Sequence, residues 1–179
     1  MCSERCCVPC GSGTTCHDGR MRRVLAAALA VLSLSACAGT PSSGGVPSNG
    51  SRIASVILHG QQGPVRVTVE EADSPAEREE GLMGRTSLGG NEGMIFLFGD
   101  VAGGSVTSEF WMKDTLIPLS VAFWDENGRI VGIQDMDPCT EDPCPTYGSP
   151  KPYVGALEVN GGFFTEHGVA KGDRIELVE

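Results

Sequence analysis

Polar and apolar positions first fall into a regular order at Ile53. Residues 53–59 are β-branched and apolar, Gln61-Gln62-Gly63-Pro64 supplies a turn, and Val65, Val67 and Val69 then alternate with Arg66, Thr68 and Glu70. Alternation with period two is the mark of a half-buried strand, because successive side chains point to opposite faces, so the stretch predicts a hairpin. The pattern changes at Ser74-Pro75-Ala76-Glu77, where an N-cap residue is followed by proline and, three positions on, by glutamate. That predicts a helix over 75–83, ended by Gly81 and Gly84. Residues 94–98 are an unbroken apolar run between Gly93 and Gly99, as expected of a strand covered on both faces.

After a loop at 101–104, residues 105–112 read as a strand leading into the densest stretch of the chain, Glu-Phe-Trp-Met-Lys-Asp-Thr-Leu-Ile-Pro at 109–118. Pro118 interrupts any ladder. Strands at 119–124 and 129–133 flank Asp125-Glu126-Asn127-Gly128, and Asn-Gly predicts a tight hairpin because both residues tolerate positive φ. Five prolines and two cysteines between 135 and 152 predict an irregular excursion. A strand at 154–159, a helical turn at 162–167 and a closing strand at 174–178 complete the pattern. Seven or so closely spaced strands with one or two short helices define a β-rich domain, mainly β in the α+β sense. It should be a curled, mostly antiparallel sheet or a small barrel. Strand order does not follow from the pattern.

The residues before this domain carry a different message. Met21-Arg22-Arg23, an apolar run over 24–34 and then Leu34-Ser35-Ala36-Cys37 have the basic start, short apolar stretch and small residues of an export signal. The run is shorter than the ~20 residues a membrane-spanning helix needs. Its last four residues resemble a bacterial lipobox, in which Cys37 becomes the acylated first residue of the mature protein. Residues 38–51 are rich in Gly, Ser and Pro, the composition of a flexible tether. The expected organisation is therefore a signal region at 1–36, a tether at 37–51 and one domain at 52–179. Cys2, Cys6, Cys7, Cys10, Cys16 and His17 precede Met21 in a spacing open to a zinc reading. An export signal begins near its basic residues, however, so residues 1–20 are read as an over-called start with Met21 as initiator. The expected location is outside the cytoplasm, anchored to the cell membrane through lipid on Cys37.

The chain has 179 residues, of which 40% are hydrophobic and 20% charged, an ordinary globular balance. Its formal charge of -10 becomes -12 from Cys37 onward, with nine Lys and Arg against twenty-one Asp and Glu. No concentrated basic patch is visible, which argues against a nucleic-acid partner. Once Cys37 is modified, Cys139 and Cys144 are the two cysteines left, and an oxidising compartment predicts a disulfide between them.

Candidate chemistry is sparse. The domain holds His59 and His167 but no nucleophile elbow, and no catalytic set emerges. Asp114, Asp125, Glu109 and Glu158 are carboxylates available to an acid–base pair. Met83, Met94, Met112, Met136 and His167 lack the close spacing of a copper site, so no metal or cofactor is expected. The binding candidates are Trp111, Lys113, Asp114, Thr115 and Tyr147, where the strand end meets the proline-rich loop. Trp111 and Tyr147 would wall a shallow pocket for a small polar, sugar-like or peptide ligand, with Lys113 favouring an anionic group. Trp111 as a core residue is the competing reading.

Gly81-Leu82-Met83-Gly84-Arg85, Glu92-Gly93-Met94, Phe110 through Leu119, Gly128-Arg129-Ile130-Val131 and Gly172-Asp173-Arg174 together resemble the bacterial and archaeal family called domain of unknown function 192. The resemblance spans nearly all of 65–177. That family usually carries Asn where this chain has Asp114, a departure that sets a negative charge beside Lys113. The resemblance implies a compact, β-rich, often exported domain and brings no established activity or catalytic residues. The expected role is a membrane-tethered binding or assembly module whose partner is a small ligand or a protein. The alternative is a small extracytoplasmic hydrolase or transferase using Lys113 and Asp114.

Overall fold

The computed structural model describes residues 52–99, 101 and 104–178; the signal region, Cys37 and the tether lie outside the described residues. β1 (Ile53–Gly60) and β2 (Gly63–Ala72) form the predicted hairpin. α1 (Pro75–Glu80) then carries the chain over to β3 (Glu92–Leu97), which runs parallel to β2. β4 (Glu109–Trp111), β5 (Leu119–Trp124), β6 (Ile130–Met136), β7 (Thr146–Gly148) and β8 (Gly155–Asn160) follow, then α2 (Phe163–Glu166) and β9 (Arg174–Val178).

Seven strands make one sheet in the order β6-β5-β8-β3-β2-β1-β9, and β4 and β7 make a separate two-stranded ribbon. Of the six neighbouring pairs in the large sheet, five are antiparallel and only β2 with β3 is parallel. A parallel pair requires a crossover rather than a turn, and α1 supplies it. The sheet curls until its two ends touch at one corner: Ile130 N–H donates to Asp173 O at 2.9 Å and Ile175 N–H to Gly128 O at 2.9 Å. The described residues thus form a curled mixed sheet approaching a barrel. Among them, no helix is long and apolar enough to cross a membrane.

Curling gives the sheet an inner and an outer face, each with its own core. In β5, Ala122 and Trp124 point inward while Leu119, Val121 and Phe123 point outward, and all six residues of the strand are buried. The inner core is closed by Phe163 and Phe164 of α2 against Val56, Leu58, Val67 and Val69. The outer core gathers Met94, Phe96, Phe123, Met136 and Tyr153 beneath α1, the ribbon and the connecting loops.

Three expectations about local structure are corrected. α1 keeps the predicted start, with a full capping box in which Ser74 Oγ donates to the Glu77 carboxylate at 2.7 Å and accepts from Glu77 N–H at 3.3 Å. These bonds, the Ser74 hydroxyl foremost, hold the Glu77 carboxyl down at about 2. The helix stops at Glu80 rather than 83, because Gly81 takes φ 50° and ψ -131°, outside helical space. The strand expected over 105–112 contracts to β4, since the preceding residues make only a single bridge, Val106 to Tyr153. The predicted hairpin at 125–128 is present, joining β5 to β6 with Gly128 at positive φ. The excursion over 135–152 is less irregular than expected, because β6 extends to Met136 and β7 pairs with β4.

Candidate functional site

The outer core is incompletely covered. Between α1 with its following turn and the segment entering β4 lies a cleft of about 330 Å³. Its walls are fixed from both sides. Tyr153 is fully buried, donates its hydroxyl to Ser108 O at 2.8 Å and so pins the approach to β4; burial pushes its phenol well above the usual range. Phe110 then drops into the outer core edge-on to Phe96, with ring centres 4.9 Å apart. Its neighbour Trp111 stays 48% exposed on the cleft rim. Trp111 is therefore neither core nor free surface but a half-covered wall, as its place on a three-residue strand requires.

On the opposite wall Arg78 is fully occupied in holding the fold. Its guanidinium donates to Asp73 O at 2.6 Å and Leu97 O at 2.7 Å and lies over the Phe98 ring. Leu82 and Met83 line the cleft beyond it, with Glu79, Glu80 and Glu109 also among the lining residues.

The turn after β4 joins these walls. Asp114 sits at φ 54°, a left-handed conformation that Asn and Asp tolerate better than most residues. Its carbonyl accepts from Gly84 N–H at 2.9 Å, which ties the turn to the exit of α1. A left-handed backbone accepts Asp here as readily as Asn. Thr115, 4% exposed, follows with its side chain in the cleft lining.

At the floor lies Glu158. β8 runs through the middle of the sheet, with Leu157 and Val159 in the inner core and Ala156 and Glu158 on the outer face. Glu158 is flanked across the strands by Met94 and Val121 and is 4% exposed. Among the described residues it has neither a hydrogen-bond donor nor a cation for a partner. The backbone is tight here as well, since a Cβ on Gly93 would stand 2.4 Å from the Glu158 carbonyl oxygen. An ionised carboxylate without a partner is expensive to bury, and burial pushes this carboxyl up to about 8. At neutral pH it is a carboxylic acid, able to donate as well as accept.

The sequence-derived binding residues divide between two places. Trp111 and Thr115 line the cleft, whereas Lys113, Asp114 and Tyr147 are not among its lining residues. Lys113 Nζ pairs with Asp142 at 2.6 Å, and that hydrogen bond raises its pKa. The Tyr147 hydroxyl accepts from Asp137 N–H at 3.3 Å, and its ring packs on the outer core. Strand and loop do meet as expected, through β4 with β7 and through bridges from Cys139 to Lys113 and Thr115. Cys139 and Cys144 are disulfide-bonded, their α-carbons 5.8 Å apart. Of the carboxylates weighed for chemistry, Asp125 caps its own turn through Asn127 and Arg129 N–H, while Glu109 and Glu158 share the cleft. Met94, Met112 and Met136 are buried in the outer core, and His167 Nδ1 lies 2.9 Å from Phe163 O at the end of α2.

Fold and cleft together define a small β-rich domain with a ligand-sized depression on the outer face of a curled sheet. The chain belongs to the family described as Uncharacterized ACR, domain of unknown function 192, which matches residues 56–177. Two solved structures share the fold. One is a Sinorhizobium meliloti protein described as a candidate transcription regulator, 31% identical, covering 73% of this chain and 98% of its own, with a TM-score of 0.64. The other is a protein of unknown function from Novosphingobium aromaticivorans, 33% identical, covering 75% of this chain and 93% of its own, with a TM-score of 0.65. No curated protein matches the chain.

Proposed function

We propose that this protein is a membrane-tethered binding module whose cleft over Glu158 takes a small organic molecule with an apolar body and one polar group. The observation that carries the reading is the Glu158 carboxyl, 4% exposed and without a partner among the described residues, at the floor of a cleft walled by Phe96, Phe110 and Trp111. Buried polar groups are normally paired within the protein, and a strongly shifted carboxyl in a concave site marks a place where a ligand supplies the missing partner. At about 330 Å³ the space suits a small ligand rather than a polymer.

A thermal-shift screen of the full-length protein against small organic compounds tests this. A ligand present at a hundred times its dissociation constant stabilises by about 2.7 kcal/mol, which is readily seen. The stabilisation is expected to fall in Trp111→Ala and in Glu158→Gln. Ligands that stabilise both variants as well as the wild type would place the site elsewhere and overturn the reading.

The anchor belongs to the same proposal. It is supported by the basic start, the apolar run, Leu34-Ser35-Ala36-Cys37 and the polar tract over 38–51. Two or more acyl chains hold a domain stably on a membrane where one does not. Mass spectrometry of the mature N-terminus is expected to find an acylated Cys37, and Cys37→Ser to release the protein from membranes. An unmodified Cys37 in the mature chain would remove the tether from the proposal.

A further inference from the structure

The charges around the cleft are one-sided. Glu79 and Glu80 of α1, Glu109 of β4 and Glu158 of β8 are among its lining residues. The cation in the lining, Arg78, has its guanidinium bound to two backbone carbonyls and laid over Phe98. On the other side of Met94, Glu70 is engaged with Arg85 at 2.6 Å. An anion entering here would meet acidic groups on three sides and a guanidinium already in use. A cation would meet the reverse, together with the rings of Phe110 and Trp111, the Phe98 face being taken by Arg78.

Resting on the binding reading above, we propose that the cleft is a site for a primary organic ammonium, its nitrogen against Glu158 and Thr115 and its apolar stem between Phe110 and Trp111. A primary ammonium brings three N–H donors and a full charge, and so supplies both things Glu158 lacks: a hydrogen-bond donor and a counterion. Thr115 Oγ1 has a lone pair to offer, since its one contact, with Lys113 O, is long at 3.4 Å. Glu158 is a carboxylic acid in the empty cleft at neutral pH, so binding the cation expels its proton to solvent. Affinity for an amine therefore rises with pH until the carboxyl is ionised in the free protein as well.

Calorimetric titration of the full-length protein with three probes of one shape tests the assignment. The probes are 2-phenylethylamine, the neutral 2-phenylethanol and the N,N,N-trimethyl derivative of the amine. At pH 8.5 the amine is expected to bind at least about tenfold tighter than the alcohol, the gain expected of a charge-assisted hydrogen bond. Its affinity is expected to rise by more than about tenfold from pH 6, as the carboxyl ionises. In Glu158→Gln the amine and alcohol converge and the pH dependence flattens. The pH profile of the wild type supplies the same answer should that variant fail to fold. Equal affinity for amine and alcohol, or an amine preference that survives Glu158→Gln, overturns the proposal. Tighter binding of the trimethyl probe overturns it too, since that cation has no N–H to give Glu158. Binding of a neutral or anionic compound that depends on Trp111 would sink the ammonium assignment and leave the binding reading standing. Failure of every compound to respond to Trp111 or Glu158 would sink both.

Discussion

Glu70 and Glu158 occupy the same rung of the outer face, one on each side of Met94, and both are buried. Glu70 has Arg85 within 2.6 Å, delivered by the turn after α1. Glu158 has nothing. The sheet thus buries two carboxylates, one strand apart, in environments of opposite kind: one charge neutralised by folding, the other left facing a cleft. A paired buried charge reports on how the chain is held together, while an unpaired one beside open space reports on what the chain is for. The same contrast separates the two cores, since α2 seals the inner one and the outer one stays open at Glu158.

The comparison breaks first at its paired side. Arg85→Ala would leave Glu70 as a buried charge without its guanidinium, and losing one member of a buried pair costs about 3–5 kcal/mol. Urea denaturation is expected to show that loss. It should also show most of it recovered when Glu70→Gln is combined with Arg85→Met, because neither then strands a charge. A loss no larger than that of an ordinary surface substitution would mean that Glu70 is not held by Arg85.

Glu158→Gln is expected to act in the opposite direction. The folded carboxyl titrates at about 8 against 4.5 when solvated, so the native state holds its proton where the unfolded chain has released it. The protein is thereby destabilised progressively as pH rises from about 4.5 to about 8, with no penalty below that window and a full one above it. Replacing the acid by an amide that cannot ionise removes the penalty. Glu158→Gln should match the wild type near pH 4 and exceed it at pH 9, by on the order of 5 kcal/mol at most. Denaturation midpoints across that range check it, and parallel curves for the two proteins would show that Glu158 titrates normally.

Much of this arrangement was legible in the chain before its structure. Alternation at Val65, Val67 and Val69, and Ser74-Pro75 with Glu77, are local signals, and β2 and the start of α1 follow them because nothing tertiary competes. The floor of the cleft was harder. Glu158 stood out only as one charge inside the apolar run Ala156-Leu157-Glu158-Val159, and whether it met a cation depended on which strands flank β8. Those partners, β3 and β5, are distant in sequence, and no turn or spacing specifies them. The meeting of the strand end with the proline-rich loop was legible, but not that it takes the form of a β4–β7 ribbon with Lys113 and Tyr147 outside the cleft lining. Pro118 and the cysteines marked where regular structure ends without saying what it turns against.

The loop that supports the ribbon offers a smaller test. The Cys139–Cys144 disulfide closes a short ring, and short rings remove little entropy from the unfolded chain, so its loss should cost at most about 2 kcal/mol. Cys139→Ser with Cys144→Ser is expected to leave a cooperative unfolding transition. The bridges from Cys139 to Lys113 and Thr115 place the disulfide behind one cleft residue, so ligand affinity should weaken more than stability does. Full affinity in the double variant would show that Thr115 is positioned by the Met112–Thr115 turn alone.

The least disruptive change is the most pointed about the two regions. Lys113 and Asp142 form an ion pair whose carboxylate is 67% exposed, and such pairs exchange protein contacts for water at little net gain. Lys113→Ala should therefore leave the denaturation midpoint where it is, in contrast to Arg85→Ala, although each removes the cation of a pair. Lys113 is also outside the cleft lining, so its charge should matter little to a ligand seated on Glu158. An anion-binding pocket built on Lys113, Asp114 and Tyr147 requires the reverse: affinity lost in Lys113→Ala and insensitive to Glu158→Gln. Titrating one ligand into both variants decides between them. If Lys113→Ala proves the damaging change, the functional surface is the ribbon and its loop, and the unpaired Glu158 is a cost of the fold rather than its purpose.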